Sequence, residues 1–151
     1  MPPEPTLNWG EQPLWDALVA VTTTLPAVLE RHLQQHGLTH FEYRILSALA
    51  AQPDERLLLS DLGRCTQASL SRLSHVVTKL ESLGWVQRVR SESLRGTYAV
   101  LTAVGVGVHA NAALPYADLV RELLRDNGHQ QPPVQFLDRL LLRIVPEAEH
   151  A

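Results

Sequence analysis

Between Ser69 and Thr78 the chain runs Ser-Leu-Ser-Arg-Leu-Ser-His-Val-Val-Thr, ten residues without an acid. Ser69, Ser71, Arg72, Ser74, His75 and Thr78 are its polar positions, and Lys79 follows. Short hydroxyl side chains let a backbone come close to phosphate groups and bond to their oxygens. Longer arginine and histidine side chains reach past the phosphates to base edges. A helix face built only for solvation carries Glu–Lys pairs instead. The chemistry this run offers is recognition of double-stranded DNA, with Ser69, Ser71 and Ser74 on phosphates and Arg72 and His75 on bases. Lys79, Arg88 and Arg90 suit the backbone, and Arg95 suits an adjacent minor groove.

Such a face needs an apolar back. Leu70, Leu73, Val76, Val77, Leu80 and Leu83 recur at helical spacing, and Gly84 is a helix stop. Trp85-Val-Gln-Arg-Val-Arg90 then alternates with period two, Ser91 to Gly96 is a polar tip, and Thr97 to Leu101 is a return strand. Upstream, Thr39 with Glu42 forms a capping box that opens a helix over 41–52, stopped by Pro53. Residues 56–59 read as a short strand, and Ser60 as the N-cap of a short helix from 61 to about 65, with Cys65 at the turn between this helix and the next. Short strand, short helix, turn, long helix, strand, tip, strand is the order of a winged helix-turn-helix. The fold class is therefore mainly α with a small β-wing. Flanking helices are expected over 14–36, kinked or broken at Pro26, over 103–125, capped by Thr102 and bent or split at Pro115, and over 134–145. Four prolines within 1–13 predict a flexible arm.

The net charge of −3 is unevenly spread. From Ser60 to Tyr98 six basic residues face three acidic ones, while the rest of the chain holds seven basic and thirteen acidic. Positive charge is thus concentrated in the segment that carries the polar face. The first residues, Met1-Pro-Pro-Glu-Pro, form neither the basic nor the apolar part of a leader, no stretch is apolar enough to span a bilayer, and Cys65 is the single cysteine. A cytoplasmic protein with no membrane partner is expected. No phosphate-binding glycine loop or Gly-x-Ser-x-Gly occurs, so an enzyme and a cofactor are not expected. His32, His36 and His40 are spaced by four, but Gly37 interrupts any common helix, and they read as solvated rather than as metal ligands.

Ala68-Ser-Leu-Ser-Arg-Leu-Ser-His-Val-Val-Thr-Lys-Leu-Glu-Ser-Leu-Gly-Trp-Val-Gln-Arg88 resembles the recognition helix and first wing strand of the MarR family of transcriptional regulators. Tyr98-Ala-Val-Leu-Thr-Ala-Val-Gly105 resembles the exit from that family's wing, and Thr39-His-Phe-Glu-Tyr-Arg-Ile-Leu-Ser-Ala-Leu49 its second helix. The resemblance runs from about Leu38 to Gly105. It implies a homodimer, joined through a helical region over 14–37 and 103–151, that places two copies of a DNA-binding lobe (38–102) on a pseudo-palindromic operator and represses transcription. It also implies a pocket for a small aromatic or lipophilic effector, for which Trp9, Trp15, Tyr43 and Tyr116 are the candidates; packing in the core is the alternative for these rings. Some relatives sense oxidants through a cysteine, which makes Cys65 a redox candidate against the plainer reading of buried filler. The chain departs from the family at the wing tip, where Ser91-Glu-Ser-Leu-Arg-Gly96 stands in place of an Asp-x-Arg-Arg-like run. Arg95 keeps the groove-reaching position and Glu92 stands in for the aspartate. That departure and the net negative charge favour one rival, a winged-helix protein-interaction module that does not bind DNA.

Overall fold

The first helix begins in an exchange of caps that the prolines leave intact. The computed structural model describes residues 7–91, 96–125 and 134–144. Asn8 Oδ1 accepts from the N–H groups of Gly10 and Glu11 at 2.9 Å each, and the Glu11 carboxylate accepts from Asn8 N at 3.0 Å. Helix α1 follows, Glu11–Gln34. The expected arm over 1–13 is therefore too long at its far end. Pro13 sits in the first turn, where its missing N–H would have found no helical partner anyway. Residues 1–6 lie outside the described residues. The break expected at Pro26 does not occur, since α1 is one continuous helix. Pro26 costs it a single backbone bond, and buried Leu29 and Leu33 anchor the helix just beyond.

Gly37 ends this run in a left-handed conformation, with φ +74°. Its N–H bonds to Gln34 O at 3.1 Å, and Leu38 N bonds back to Leu33 O at 3.1 Å. Both are the closing bonds of a Schellman motif. Helix α2 (His40–Ala50) opens on the expected capping box: Glu42 N donates to Thr39 Oγ1 at 3.2 Å, and Thr39 N donates to the Glu42 carboxylate at 2.8 Å. Strand β1 (Arg56–Leu58) leads directly into α3 (Leu59–Thr66). Ser60 is not the cap of α3: the helix starts at Leu59, because Leu58 is still paired to the sheet when the chain turns.

Helix α4 (Leu70–Ser82), strands β2 (Val86–Ser91) and β3 (Gly96–Leu101), and helix α5 (Ala103–Leu123) follow. The sheet is antiparallel in the order β1-β3-β2, with Arg56 opposite Val100, Arg88 opposite Ala99 and Arg90 opposite Thr97. Alternation sends Val86, Ala99 and Leu101 inward, against Ile45, Leu46 and Leu49 of α2, Leu62 of α3, and Leu73, Val77 and Leu80 of α4. Thr102 caps α5 as expected, accepting from Gly105 N at 3.1 Å, and its hydroxyl donates to Gly84 O at 2.6 Å. Pro115 leaves α5 unsplit. The arrangement is a winged helix-turn-helix, mainly helical with a small β-wing.

The chain divides into two compact units, Met1–Asp118 and Leu119–Ala151. The second holds the end of α5 and helix α6 (Val134–Ile144), on which Phe136, Leu137, Leu141 and Ile144 are exposed. No described helix is long and apolar enough to cross a membrane.

Two glycines of α5 should respond oppositely to the same change. A Cβ on Gly105 would lie 2.0 Å from Trp85 O, a backbone atom that cannot move aside, whereas nothing lies within 4 Å of one on Gly107. Gly105→Ala is expected to lower unfolding free energy by about 3 kcal/mol. Gly107→Ala is expected to raise it by about 0.5–1 kcal/mol, through helix propensity alone. Urea denaturation of both variants checks the pair.

Candidate nucleic-acid interface

A tight turn aims α4. Gln67 ends α3 in the left-handed region (φ 54°, ψ 38°), with Gln67 N bonded to Arg64 O and Ala68 N to Gly63 O at 3.0 Å. Ser69 then caps α4, its Oγ accepting from Arg72 N at 3.3 Å. Leu73, Val77 and Leu80 are buried behind, and Val76 is half-buried. Leu70 and Leu83, expected on the same buried face, are 63% and 44% exposed. Leu70 opens α4 and Leu83 follows its last residue, so each lies about one turn beyond the buried positions. Ser71, Arg72, Ser74, His75 and Thr78 are all exposed in front.

Arg88 joins this helix to the wing. Its backbone N–H donates to Glu81 Oε1 at 2.9 Å, and its guanidinium donates to Glu81 Oε2. The same group reaches Thr78 Oγ1 at 3.1 Å, Ser74 O at 2.8 Å and Ser74 Oγ at 3.3 Å. Ser74 and Arg88, both expected at phosphates, are here partners of each other. Arg90 is exposed two residues along β2. Arg95 and Glu92, at the wing tip, lie outside the described residues.

Lys79 is also held from within. Its Nζ sits 2.5 Å from Glu42 Oε1, and the Glu42 side chain is 4% exposed. Burial pushes the Glu42 carboxyl up, but the bonds from Lys79 and Thr39 outweigh it and hold the group below the usual carboxylate range. Arg72 differs. Its guanidinium carbon lies 4.2 Å from the centre of the Phe41 ring, and no hydrogen bond or ion pair holds its side chain among the described residues. These groups border an open groove of about 740 Å³, lined by Pro26, Ala27, Phe41 and Val76 together with Arg44, Arg72, His75 and Lys79.

The sequence profile of the MarR family matches residues 36–93. The crystal structure of Sco3205 from Streptomyces coelicolor, a MarR family transcriptional regulator in complex with DNA, is 32% identical over 97% of this chain and 95% of that one, with a TM-score of 0.85. AbsC of the same organism, a MarR family transcriptional regulator, is 34% identical over 93% and 95%, with a TM-score of 0.78. The transcriptional regulator SarZ of Staphylococcus haemolyticus is 30% identical over 78 residues, about half of each chain at 51% and 52%. The chain belongs to the MarR family. It is a transcriptional regulator, not an enzyme.

In this MarR regulator two of the proposed effector residues come together and two do not. Tyr43 of α2 and Tyr116 of α5 have ring centres 4.4 Å apart. His109 stacks on Tyr43 at 5.5 Å and shares a 3.0 Å hydrogen bond with Ser47 Oγ, while His40 stacks on Tyr116 at 6.3 Å. Burial, aided by Arg44 and opposed by Glu30, lowers the His40 pKa, and burial lowers that of His109. Both rings are thus biased toward the neutral form. Burial raises the Tyr116 pKa, with Tyr43 adding to the rise and Arg44 opposing it. Trp15 on α1 is 50% exposed and Trp9 is 98% exposed, and neither makes a ring contact among the described residues.

Cys65 lies in the last turn of α3 rather than in the following turn, and it is exposed rather than buried filler. The helix runs one residue further than expected because Gln67 takes the left-handed position that ends it. Arg64 turns to Asp61, and Arg44 Nη2 donates to Cys65 O at 3.2 Å. His32 and His36 have ring centres 5.6 Å apart, and no group of three metal-ligating side chains occurs among the described residues.

Phe41, Glu42, Glu81, His40 and His109 were missed as site residues. For Glu81 a signal existed, since a lone acid on an otherwise acid-free helix face needs a nearby cation.

The Glu42–Lys79 pair sets an acid response. A folded-state pKa below the ordinary value stabilises the protein fully above the carboxylate range, and the stability is lost as pH falls through the lowered value. Glu42→Gln should flatten the acid limb of the Tm–pH profile relative to the parent. Lys79→Met should cost roughly 1–2 kcal/mol at pH 7, below the range for a fully buried pair because water reaches Lys79. Thermal unfolding between pH 3 and 7 reads both.

Proposed function

We propose that the protein represses transcription as a cytoplasmic homodimer bound to a pseudo-palindromic operator, and that a small aromatic or lipophilic effector relieves it. The observation that carries this reading is the front of α4 from Ser69 to Thr78, which holds no acid and is exposed beside the β2–β3 ribbon with its apolar back buried. The complex of Sco3205 with DNA, at 32% identity, supports a duplex as the partner. Ser69 and Ser71 approach phosphates, Arg72 and His75 reach base edges, and Arg90 holds the backbone. Arg95 takes the minor groove. Ser74, Lys79 and Arg88 act at the same face, with part of their bonding capacity committed inside the lobe.

Apolar side chains left exposed support a second copy. Leu14, Trp15, Val19 and Val21 on α1 and Phe136, Leu137, Leu141 and Ile144 on α6 are more than such a chain leaves in water without a partner. Residues 14–37 and 103–151 are the dimerisation region on this reading, and 38–102 the DNA-binding lobe. The Tyr43–Tyr116 cluster joins α2 of that lobe to α5, so a ligand wedged against these rings would alter the spacing of the paired recognition helices.

Fluorescence anisotropy against a duplex selected from a random pool tests the proposal. Affinity should fall steeply with salt as phosphate contacts are lost. Arg72→Ala should cost about 1–3 kcal/mol on the selected duplex and much less on random DNA. Absence of binding to any duplex at low salt would overturn the DNA reading in favour of a protein-interaction module.

A further inference from the structure

Of the two permanent cations on α4, one is already paired. Lys79 lies against Glu42, and beyond the helix Arg88 is bonded to Glu81, Thr78 and Ser74. Arg72 is the exception. It sits in the first turn of α4, where a helix entering the major groove contacts bases. What steadies its side chain is the face of Phe41, on the first turn of α2, 4.2 Å away.

This contact has a directional consequence. A guanidinium that stacks uses its flat face, and its five N–H donors stay in the plane around the rim. A carboxylate partner would occupy two of those donors and leave fewer for a bidentate bond to guanine O6 and N7. An aromatic partner orders the side chain and leaves the fork open. It also removes part of the rotamer freedom that an arginine otherwise loses on binding.

We infer that Phe41 is a specificity-determining positioning residue: an aromatic platform on α2 that pre-orients Arg72 of the recognition helix for base readout. The inference rests on the assignment of Arg72 to bases. Phe41 touches no base itself and acts through Arg72. Its position is half-buried, so its packing must be separated from its π face.

The test is a double-mutant cycle on the full-length protein, read by anisotropy on the duplex selected from a random pool, on copies carrying single base-pair changes, and on random duplex. Phe41→Leu keeps the apolar bulk and loses the ring; Phe41→Tyr keeps both. The platform predicts that Phe41→Leu weakens binding to the selected duplex about five-fold. It leaves random-duplex affinity unchanged and relaxes preference at the base pairs where Arg72→Ala relaxes it. Phe41→Tyr retains the parent's discrimination. In the Arg72→Ala background Phe41→Leu has no further effect, whereas a purely structural role would add its loss there. Arg72→Lys, which keeps the charge but not the plane, should behave like Phe41→Leu. Where Phe41→Leu does not fold, Phe41→Met takes its place in the cycle.

If Arg72→Ala lowers discrimination and Phe41→Leu does not, the platform is overturned while base reading by Arg72 stands. Tighter binding by Phe41→Leu also overturns it, because the ring then holds Arg72 back. Full discrimination by Arg72→Ala overturns the base-reading assignment and the platform together.

Discussion

The carboxylate of Glu42 holds the start of α2 against α4, and the lobe is arranged around that tie. The group is buried, so it must be bonded on each side that water has left. Thr39 supplies one bond from the backbone and Lys79 another across the helix pair. The same residue completes the capping box, so a single side chain starts α2 and fixes α4 beside it. With α2 placed, Ile45, Leu46 and Leu49 meet Leu73, Val77 and Leu80, and the polar front of α4 has only one way to face.

Glu81 plays the corresponding part on the wing side. It receives both the backbone and the guanidinium of Arg88, and so ties β2 to α4 outside the apolar core. A two-strand ribbon held only by its inner residues could rock; bonds from one arginine to Glu81, Thr78 and Ser74 resist that motion. Glu42 lies outside the segment from Ser60 to Tyr98, so its bond to Lys79 offsets part of that segment's excess of positive charge, in which Glu81 is already counted. Lys79 and Arg88 are partly neutralised by acids turned inward, and among the described residues no bond takes up the donors of Arg72. The electrostatic footprint of the surface is therefore narrower than the count of cations implies.

The tyrosine–histidine cluster lies on the other side of α2. Its rings are polar at their edges and apolar on their faces, which suits a joint that is partly dry. Ser47 and His109 satisfy one another there, and burial biases both histidines toward the neutral form. One helix thus carries contacts to α4 at its first turn and to α5 along its length, so a change at one set bears mechanically on the other.

Much of this was legible in the residues themselves. The order of elements, the capping box at Thr39, the stops at Gly37 and Gly84, and the acid-free stretch from Ser69 follow from local rules, because caps, left-handed glycines and helical periodicity involve residues only a few positions apart. Misreadings arose where the outcome depended on distant partners. Pro26 and Pro115 were expected to bend or break their helices, and both helices run on without a break, while Ser60 was read as a cap although pairing of Leu58 with Tyr98 moved the helix start. Gln67 carries no sequence sign of a left-handed turn, which the surrounding helices impose on it. By itself the sequence determined which face of α4 is polar and that the chain folds as a winged helix-turn-helix. Only the tertiary structure decided that Lys79 and Arg88 are tied to acids while Arg72 rests on an aromatic ring, since Glu42, Glu81 and Phe41 reach their partners through space, across separations that no local pattern encodes.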